Sequence, residues 1–289
     1  MLKRIALSCL ILVLFVGANA QFESEYASYK QEGEFGIGVG LNHYFGDLDP
    51  TVALNHPKFT AGVYFLKQFN NYVGVKVAGN YAFLAYSDQY SSNIVQKERN
   101  LSFNTDIYEF SLSGVFNFFK FIPGSQGHNF TPYMSLGVGV FSYDPYAYLN
   151  GQKYYLRALG TEGQGSSLYP DRKPYGSMAV CFPLAVGVKY SLSEKVNLFA
   201  EVGYRFTTTD YIDDVSTTYA GAAAFPALPN GQPSIAYQLQ DRSGQIVTVP
   251  IGIAGRQRGN SPQTDAYVLF HVGLSFNISS YLCPTPNPK

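Results

Sequence analysis

The residues with the most potential for chemistry are two adjacent aspartates, Asp213 and Asp214, in the segment DYIDDVS. A carboxylate pair with a histidine can activate water for hydrolysis, and His43 and His56 flank another polar segment earlier in the chain. No spacing ties these residues to one another, and acidic loop residues more often form turns. We therefore predict that the protein is not an enzyme, with a surface hydrolase as the less favoured alternative.

Two further polar segments have the composition of ligand sites. Asp47 and Asp49 offer the oxygen ligands that Ca²⁺ takes, but such acidic loops are common in secreted proteins. The glycine-rich segment GTEGQG, residues 160–165, lacks the Lys-Ser/Thr pair and the helical pattern of a phosphate loop. We predict a flexible loop there, and no metal ion or cofactor.

The elements that carry these residues alternate in polarity, most clearly between Ser177 and Thr209. In this segment most even-numbered residues are apolar, whereas the odd-numbered residues are small or charged. A period of two is typical of a strand with one apolar and one polar face. Both runs are longer than the about 5 to 6 residues of a soluble strand, and they reach the about 9 to 11 that a tilted membrane strand needs. The pattern therefore favours strands that face lipid.

The same alternation recurs along residues 33–282 and predicts an all-β fold. We expect an eight-stranded antiparallel transmembrane β-barrel with short periplasmic turns and long extracellular loops. A barrel of this size is filled by its own side chains, so no open channel is expected. The predicted short connections lie near 68–71, 119–129 and 191–195, and the long ones near 46–57, 88–100, 144–176 and 210–264.

Two details of this topology are open to test. The runs SIAYQL and QIVTVP flank DRSG in the last long loop and predict a hairpin, which makes ten strands the alternative. The phase of Leu101 and Phe103 is opposite to that of the strand that follows, so a bulge is predicted near Asp106.

Composition and termini indicate an outer-membrane location. Charged residues make up 14% of the chain and the net charge is zero, so nothing indicates nucleic acid binding. Residues 1–20 have the charged start, apolar run and small residues of a cleavable signal peptide. Residues 21–32 and 283–289 are predicted to be periplasmic tails. Cys181 and Cys283 fall at opposite ends of the barrel, and we expect no disulfide between them.

Six polar residues are predicted to face the lumen. Buried charges need partners, so we expect a salt-bridge network that keeps the barrel rigid. Its members are Lys76, Glu109, Lys189, Glu201, Arg205 and His271.

Several segments, in order, resemble a known family. They are GLNHYFGDLDP, ERNLSFNTDIYEFS, FTPYMSLGVGVFSYDPYAY, LRALGTEGQG and YRFTTTDYIDDVSTTY. Together they are similar to small outer-membrane barrels from Bacteroidota, a family that includes the PorG-type component of the type IX secretion system. The loop residues that these motifs supply are Gly46, Asp47, Asp49, Gly160, Thr161, Glu162, Asp213 and Asp214.

The resemblance implies a non-enzymatic outer-membrane subunit of a protein secretion system associated with gliding motility. Its implied partners are membrane lipids and a periplasmic ring built from a lipoprotein and a soluble protein. A general envelope-stabilising or surface-adhesion barrel is the alternative. The segment from about residue 221 to 260 lies outside the resemblance.

Overall fold

The computed structural model describes residues 29–50 and 54–281. One compact unit comprises Glu32–Ile278. The second comprises Met1–Gln31 with Ser279–Lys289, of which only residues 29–31 and 279–281 are described. Four predictions lie outside the described residues: the signal peptide 1–20, the tail residues 21–28, Cys283 and the tail 283–289.

The described residues form ten strands, eight of which close into a barrel. The strands are β1 Tyr29–Phe45, β2 Lys58–Gln68, β3 Val73–Ser87, β4 Ser102–Asn117, β5 Phe130–Ser142, β6 Tyr146–Leu149, β7 Gln152–Tyr155, β8 Met178–Ser191, β9 Val196–Thr207 and β10 Ala266–Tyr281. Around the barrel the order is β1, β2, β3, β4, β5, β8, β9 and β10, and β10 lies next to β1. The registered neighbours are antiparallel. The predicted eight-stranded antiparallel barrel is confirmed.

The outward face of the barrel is a continuous apolar surface. Side chains such as Val39, Phe110 and Leu136 are 55%, 59% and 62% exposed. Soluble proteins rarely expose apolar surface on this scale, whereas a transmembrane barrel presents such a band to lipid. Further exposed members of the band are Phe35, Ile37, Leu41, Val63, Phe65, Leu112, Val138, Phe182, Val186, Leu198, Val202, Phe270, Val272 and Leu274.

Glycine on the inward face of β1 makes room for side chains from other strands. A Cβ on Gly36 would lie 2.2 Å from Cε1 of Tyr64, so only glycine lets this ring fill the lumen. The Tyr64 hydroxyl donates to Glu34 Oε1 at 2.9 Å. The narrow barrel is thus filled from within, as an eight-stranded barrel must be.

The lumen becomes apolar near the ends of β3 and β4 that lead into the long connection 88–101. Leu84, Phe103, Ile107 and Phe141 are buried there in one apolar cluster. The bulge predicted near Asp106 is wrong, because β3 and β4 pair without interruption along their registered length. Phe103 points inward because the lumen is apolar at this level. The sequence interpretation assumes a polar lumen along the whole strand.

The connections differ sharply in length at the two ends of the barrel. Short turns at 69–72, 118–129 and 192–195 define the short-turn end. The other end, the long-loop end, carries connections 46–57, 88–101, 143–177 and 208–265. They include helices α1 Ile94–Arg99, α2 Leu156–Leu159 and α3 Ile235–Gln240, and 3-10 turns at Asp88–Tyr90, Ala222–Ala224 and Ser243–Gln245.

Three sequence interpretations need correction in detail. The hairpin predicted within 210–264 is wrong, because its first run is helix α3 and its second contains no strand. The two additional strands are instead β6 and β7, a hairpin in the connection 143–177. Strand β1 begins at Tyr29, inside the segment predicted as a tail. None of the helices among the described residues is long and apolar enough to cross a membrane.

The packing of Tyr64 over Gly36 predicts that a methyl group added at position 36 lowers the stability of the barrel. We expect Gly36→Ala to destabilise the barrel by about 1–3 kcal/mol, because the ring must move in a filled lumen. Gly114→Ala is the matched control, since Gly114 faces outward with its nearest atom at 3.9 Å. The temperature at which gel mobility changes on heating measures both, and equal transitions would contradict the packing argument.

Candidate functional site

Among the residues that the structure describes, three ion pairs cross the lumen. Lys76 on β3 lies 2.5 Å from Glu201 on β9, and Arg205 on β9 lies 3.1 Å from Glu109 on β4. The third pair joins Lys189 on β8 to Glu34 on β1, at 2.5 Å. None of these strand pairs are neighbours in the barrel, so each ion pair ties opposite walls together.

Neutral side chains also donate hydrogen bonds to the buried carboxylates. Glu109 also accepts hydrogen bonds from Asn80 and Tyr267, each at 2.8 Å. Glu201 accepts one from Tyr133 at 3.0 Å. Buried charges stabilise a fold only when their remaining hydrogen-bonding capacity is met in this way.

The sequence interpretation missed Glu34, which supplies the third acid. It predicted two acids against three bases, and the structure shows three pairs. Glu34 shares the even-numbered, inward phase of Gly36 and Gly38, so that phase was the signal that could have identified it.

Among the described residues, His271 forms its side-chain hydrogen bond with a hydroxyl and not with a carboxylate. Its Nε2 lies 3.1 Å from the Thr60 hydroxyl, and that hydroxyl donates to the Tyr81 carbonyl at 2.7 Å. The imidazole therefore donates to Thr60 and cannot accept its proton. This geometry is the reverse of a base that activates a nucleophile.

The space left between these groups is small. A cavity of ≈ 20 Å³ is lined by Lys76, Glu201, Arg205 and His271, among others. This is room for about one water molecule. Toward the short-turn end, the fully buried Phe121 packs with its ring centre 5.4 Å from Lys189 Nζ.

At the long-loop end, the motif residues from separate connections meet in a second polar cluster. We call Tyr44, Asp47, Thr161, Glu162, Asp213, Asp214, Arg258 and Asp265 the loop cluster. Glu162 from connection 143–177 accepts bonds from the backbone N–H of Ser216 at 2.9 Å and from the Thr217 hydroxyl at 2.6 Å. Two long connections are thereby joined through one buried carboxylate.

Arg258 is the cation of this cluster. Its Nη1 donates to Glu162 Oε1 at 3.0 Å, and its Nη2 lies 3.6 Å from Asp214 Oδ2. Asp214 also accepts bonds from the hydroxyls of Thr161 and of Tyr175, the latter at 2.7 Å. The predicted flexible loop at GTEGQG is therefore wrong, because its Thr161 and Glu162 are fully buried and bonded.

Asp213 and Asp265 share one hydroxyl. Tyr44 Oη lies 2.5 Å from Asp213 Oδ2 and 3.0 Å from Asp265 Oδ1. A hydroxyl has one proton, so both contacts can be full hydrogen bonds only when one of the two carboxyl groups is protonated. Gly46 makes the approach possible, since a Cβ there would lie 1.9 Å from Tyr44 Oη.

Burial raises the pKa of several carboxyl groups at this end. The pKa of Asp213 and of Asp265 lies well above the usual value because both are buried near other acids. Burial also raises the pKa of Asp210 to about 7. For Asp214, burial raises the pKa to about 6 although the Arg258 charge opposes the shift.

The remaining predicted residues have structural contacts. Asp47 accepts the backbone N–H of Asn260 at 2.9 Å. Asp49 lies 2.8 Å from His43 Nε2, and His56 stacks on Tyr90 with ring centres 3.7 Å apart. Neither histidine is therefore bonded to the aspartate pair. Within the part of the chain that the structure describes, no group of three His, Cys, Asp or Glu side chains could hold a metal ion.

Residues 8–224 match the family described as a domain of unknown function, DUF6089. The chain belongs to this family. The match covers the barrel from β1 to β9 and most of the loop cluster, whereas Arg258 and Asp265 lie beyond it. No curated protein matches the sequence.

Solved structures similar to this chain are small outer-membrane proteins with low identity. The attachment invasion locus protein Ail of Yersinia pestis, crystallised with the heparin analogue sucrose octasulfate, is 11% identical with a TM-score of 0.38, over 86% of this chain and 99% of that one. Neisserial surface protein A is 10% identical with a TM-score of 0.40, over 87% and 100%. OprG of Pseudomonas aeruginosa is 10% identical with a TM-score of 0.37, over 87% and 98%.

The ion pairs in the lumen predict a large loss of stability when one partner of a pair is removed. We expect Arg205→Ala to destabilise the barrel by about 3–5 kcal/mol, because Glu109 then remains buried without its cation. Arg205→Met combined with Glu109→Gln should recover part of this loss. The gel-mobility transition measures both, with the exposed Arg256→Ala as the control, and a wild-type transition in Arg205→Ala would contradict the pairing.

The loop cluster predicts a loss of local stability as the pH rises. An acid whose pKa is raised by folding stabilises the fold below its unfolded pKa, about 3.9 for aspartate, and this contribution is lost as the pH rises through the folded pKa. We expect residues 208–265 to exchange amide hydrogens faster at pH 8 than at pH 5, after correction for intrinsic rates. Asp213→Asn should reduce this difference, and the same change at the exposed Asp171 should not. A difference that is unaltered in Asp213→Asn would contradict the raised pKa of Asp213 as its source.

Proposed function

We propose that the protein is a non-enzymatic outer-membrane barrel that anchors the periplasmic ring of the type IX protein secretion system. The filled lumen is the observation that supports a structural role rather than transport. The place in a secretion system rests on the sequence resemblance to the Bacteroidota family that includes the PorG-type component. Each part has its own experimental test.

A bilayer location follows from the apolar band on the outward face. Short turns on the periplasmic side and long loops on the outside are the usual arrangement of outer-membrane barrels. In that orientation both ends of the chain lie in the periplasm, as the sequence predicts. The loop cluster then lies at the cell surface.

The filled lumen argues against a role as a conduit. Three ion pairs cross the barrel, and the cavity of ≈ 20 Å³ between them admits no solute larger than water. The apolar cluster of Leu84, Phe103 and Phe141 fills the lumen toward the long-loop end. What the barrel offers to other molecules is therefore its outer wall and its two rims.

A hydrolase is disfavoured by the state of the candidate acids. Asp213 and Asp214 are 2% and 0% exposed. Their carboxylates bond to Tyr44, Thr161, Tyr175 and Arg258. A general base must reach the proton that it removes, and these groups face the interior of the loop cluster.

The short-turn end offers exposed polar residues to a periplasmic partner. The backbone N–H of Gly124 donates to Ser191 Oγ at 3.0 Å, which joins turn 118–129 to the end of β8. The exposed polar residues on turns 118–129 and 192–195 include Gln126, His128 and Glu194. Rigid turns lose little conformational entropy on docking, which suits an anchoring role.

We expect deletion of the gene to block export of type IX cargo while the envelope stays intact. A photoreactive amino acid at Gln126 should capture the ring lipoprotein or its soluble partner. The same probe at Thr248, an exposed residue of connection 208–265, should not. Both proteins are identified by mass spectrometry of the cross-linked bands.

Normal export in the deletion strain would overturn the secretion role. It would favour a general envelope-stabilising or surface-adhesion barrel. One observation supports that alternative: Ile94, Val249 and Ile253 on the long connections are 69%, 74% and 63% exposed. If export fails in the deletion strain but the probe at Gln126 captures neither protein, the secretion role stands and the contact lies at another site.

A further inference from the structure

The wall of the barrel continues beyond the apolar band as the long-loop ends of β3 and β4 and the hairpin β6–β7. We call the outward face of this part the rim face, with Asn104, Tyr146, Tyr148, Lys153 and Tyr155 as its members. We propose that the rim face binds the phosphorylated sugar headgroup of a lipid in the outer leaflet. The inference rests on the bilayer location and the outward long loops proposed above but on no secretion partner, so it can fail separately from the secretion role.

The strand register places these side chains on one side of the wall. Residues directly opposite each other on paired strands share a face, as do residues two apart along one strand. Asn104 has the outward phase of Tyr108 on β4, and Tyr146 lies opposite Asn104. On the hairpin, Tyr155 lies opposite Tyr146, and Lys153 is two residues before Tyr155. The hairpin therefore turns its tyrosines and its lysine to the same side as the apolar band.

The change of polarity along β4 marks where the hydrocarbon layer ends. The outward residue Phe110 is 59% exposed and belongs to the apolar band. The outward residues that precede it are Tyr108 and Asp106, and Asp106 accepts the Tyr81 hydroxyl at 2.7 Å. Tyrosines are enriched where a membrane meets water, so the boundary lies at the level of Tyr81 and Tyr108.

The height of the rim face above this boundary favours a sugar headgroup. Asn104 lies four residues from Tyr108, which is about 13 Å along the strand and about 10 Å along the membrane normal at the usual strand tilt. The headgroup layer of a phospholipid is only about 5 to 8 Å thick. A headgroup built of sugar rings extends further from the hydrocarbon and reaches the rim face.

Two cations near the rim face form no ion pair with the described residues. The Lys153 ammonium instead lies 3.5 Å and 4.7 Å from the ring centres of Tyr146 and Tyr155. Arg242 donates from Nη1 to the hydroxyl of Ser102, a residue of the same outward phase on β4, at 2.8 Å. Its Nε is buried without a hydrogen-bond partner in the described chain. An anion can therefore meet both cations without displacing a carboxylate.

The conformation of Lys153 separates this role from protection of a strand edge. β7 is the last strand of its sheet, and a lysine on such an edge prevents pairing with another chain. That task requires only a charge that extends into water. Here the ammonium lies over two aromatic rings, a contact that holds a cation in place. A side chain that is already positioned loses little conformational entropy on binding.

Exposed aromatic rings flank the lysine. Tyr148 is 50% exposed and Tyr155 is 47% exposed, and their ring centres lie 5.8 Å and 5.9 Å from that of Tyr146. A tyrosine combines an apolar ring face with a hydroxyl group, and a sugar likewise has apolar C–H faces edged by hydroxyls. Because the rim face continues directly from the apolar band, the headgroups of the surrounding lipids stand beside it.

Titration with a phosphorylated glycolipid tests the site. The full-length barrel in detergent micelles is titrated with lipid A, a phosphorylated disaccharide lipid, and the bound fraction is measured by native mass spectrometry. We expect Lys153→Gln to weaken binding about fivefold, the factor for one cation near an anionic membrane surface, and Arg242→Gln to act similarly. The same lipid without its phosphates should bind equally to the wild type and to Lys153→Gln.

Lys195→Gln is the matched control. Lys195 is an exposed lysine at the short-turn end, so this change should leave the affinity unaltered. The heat-dependent gel shift verifies that all variants are folded. Equal affinity of the wild type and Lys153→Gln for lipid A, or an equal loss in Lys195→Gln, would overturn the proposal. A protein captured by a photoreactive residue at position 148 in cell envelopes would also overturn it, in favour of a protein partner at the rim face.

Discussion

The constraint on which the rest of the structure depends is that every charge inside a narrow barrel must find an opposite charge across it. Lys76, Lys189 and Arg205 each meet a carboxylate on a wall that is not adjacent. Water cannot compensate an unpaired ion in so small a lumen, so the pairs fix the distances between opposite strands. The barrel is therefore held together in two directions, by backbone hydrogen bonds around the wall and by side chains through its centre.

At the long-loop end, buried charges are stabilised in a different way. Its acids outnumber the nearby cations, and several of them are accommodated by hydroxyl and backbone donors rather than by charge. Asp213 and Asp265 share Tyr44, which is possible when one carboxyl group keeps its proton. The lumen is thus a set of paired ions, whereas the loop cluster is a largely hydrogen-bonded network with one arginine.

Much of the barrel could be predicted because strand polarity is a local property. The alternation alone indicates eight strands and assigns Glu109 and Arg205 to the inward face. It does not indicate which charges meet, because Glu34 and Lys189 are 155 positions apart. The segment at Ile235 was interpreted as a strand, yet Ser234 accepts the N–H of Tyr237 and begins a helix there. Arg258 belongs to no motif, so its role became visible only when distant loops were seen together.

The position of Arg258 has a consequence for how this surface can vary. Loops on membrane barrels usually tolerate insertion and replacement more readily than strands do. Here one guanidinium from the last connection holds carboxylates from two connections, so neither can change at that point independently of the other. Outlying stretches such as Pro229–Gln232, whose residues are exposed, carry no constraint of this kind. The long-loop end is in this sense a second buried core, built from the connections between the strands.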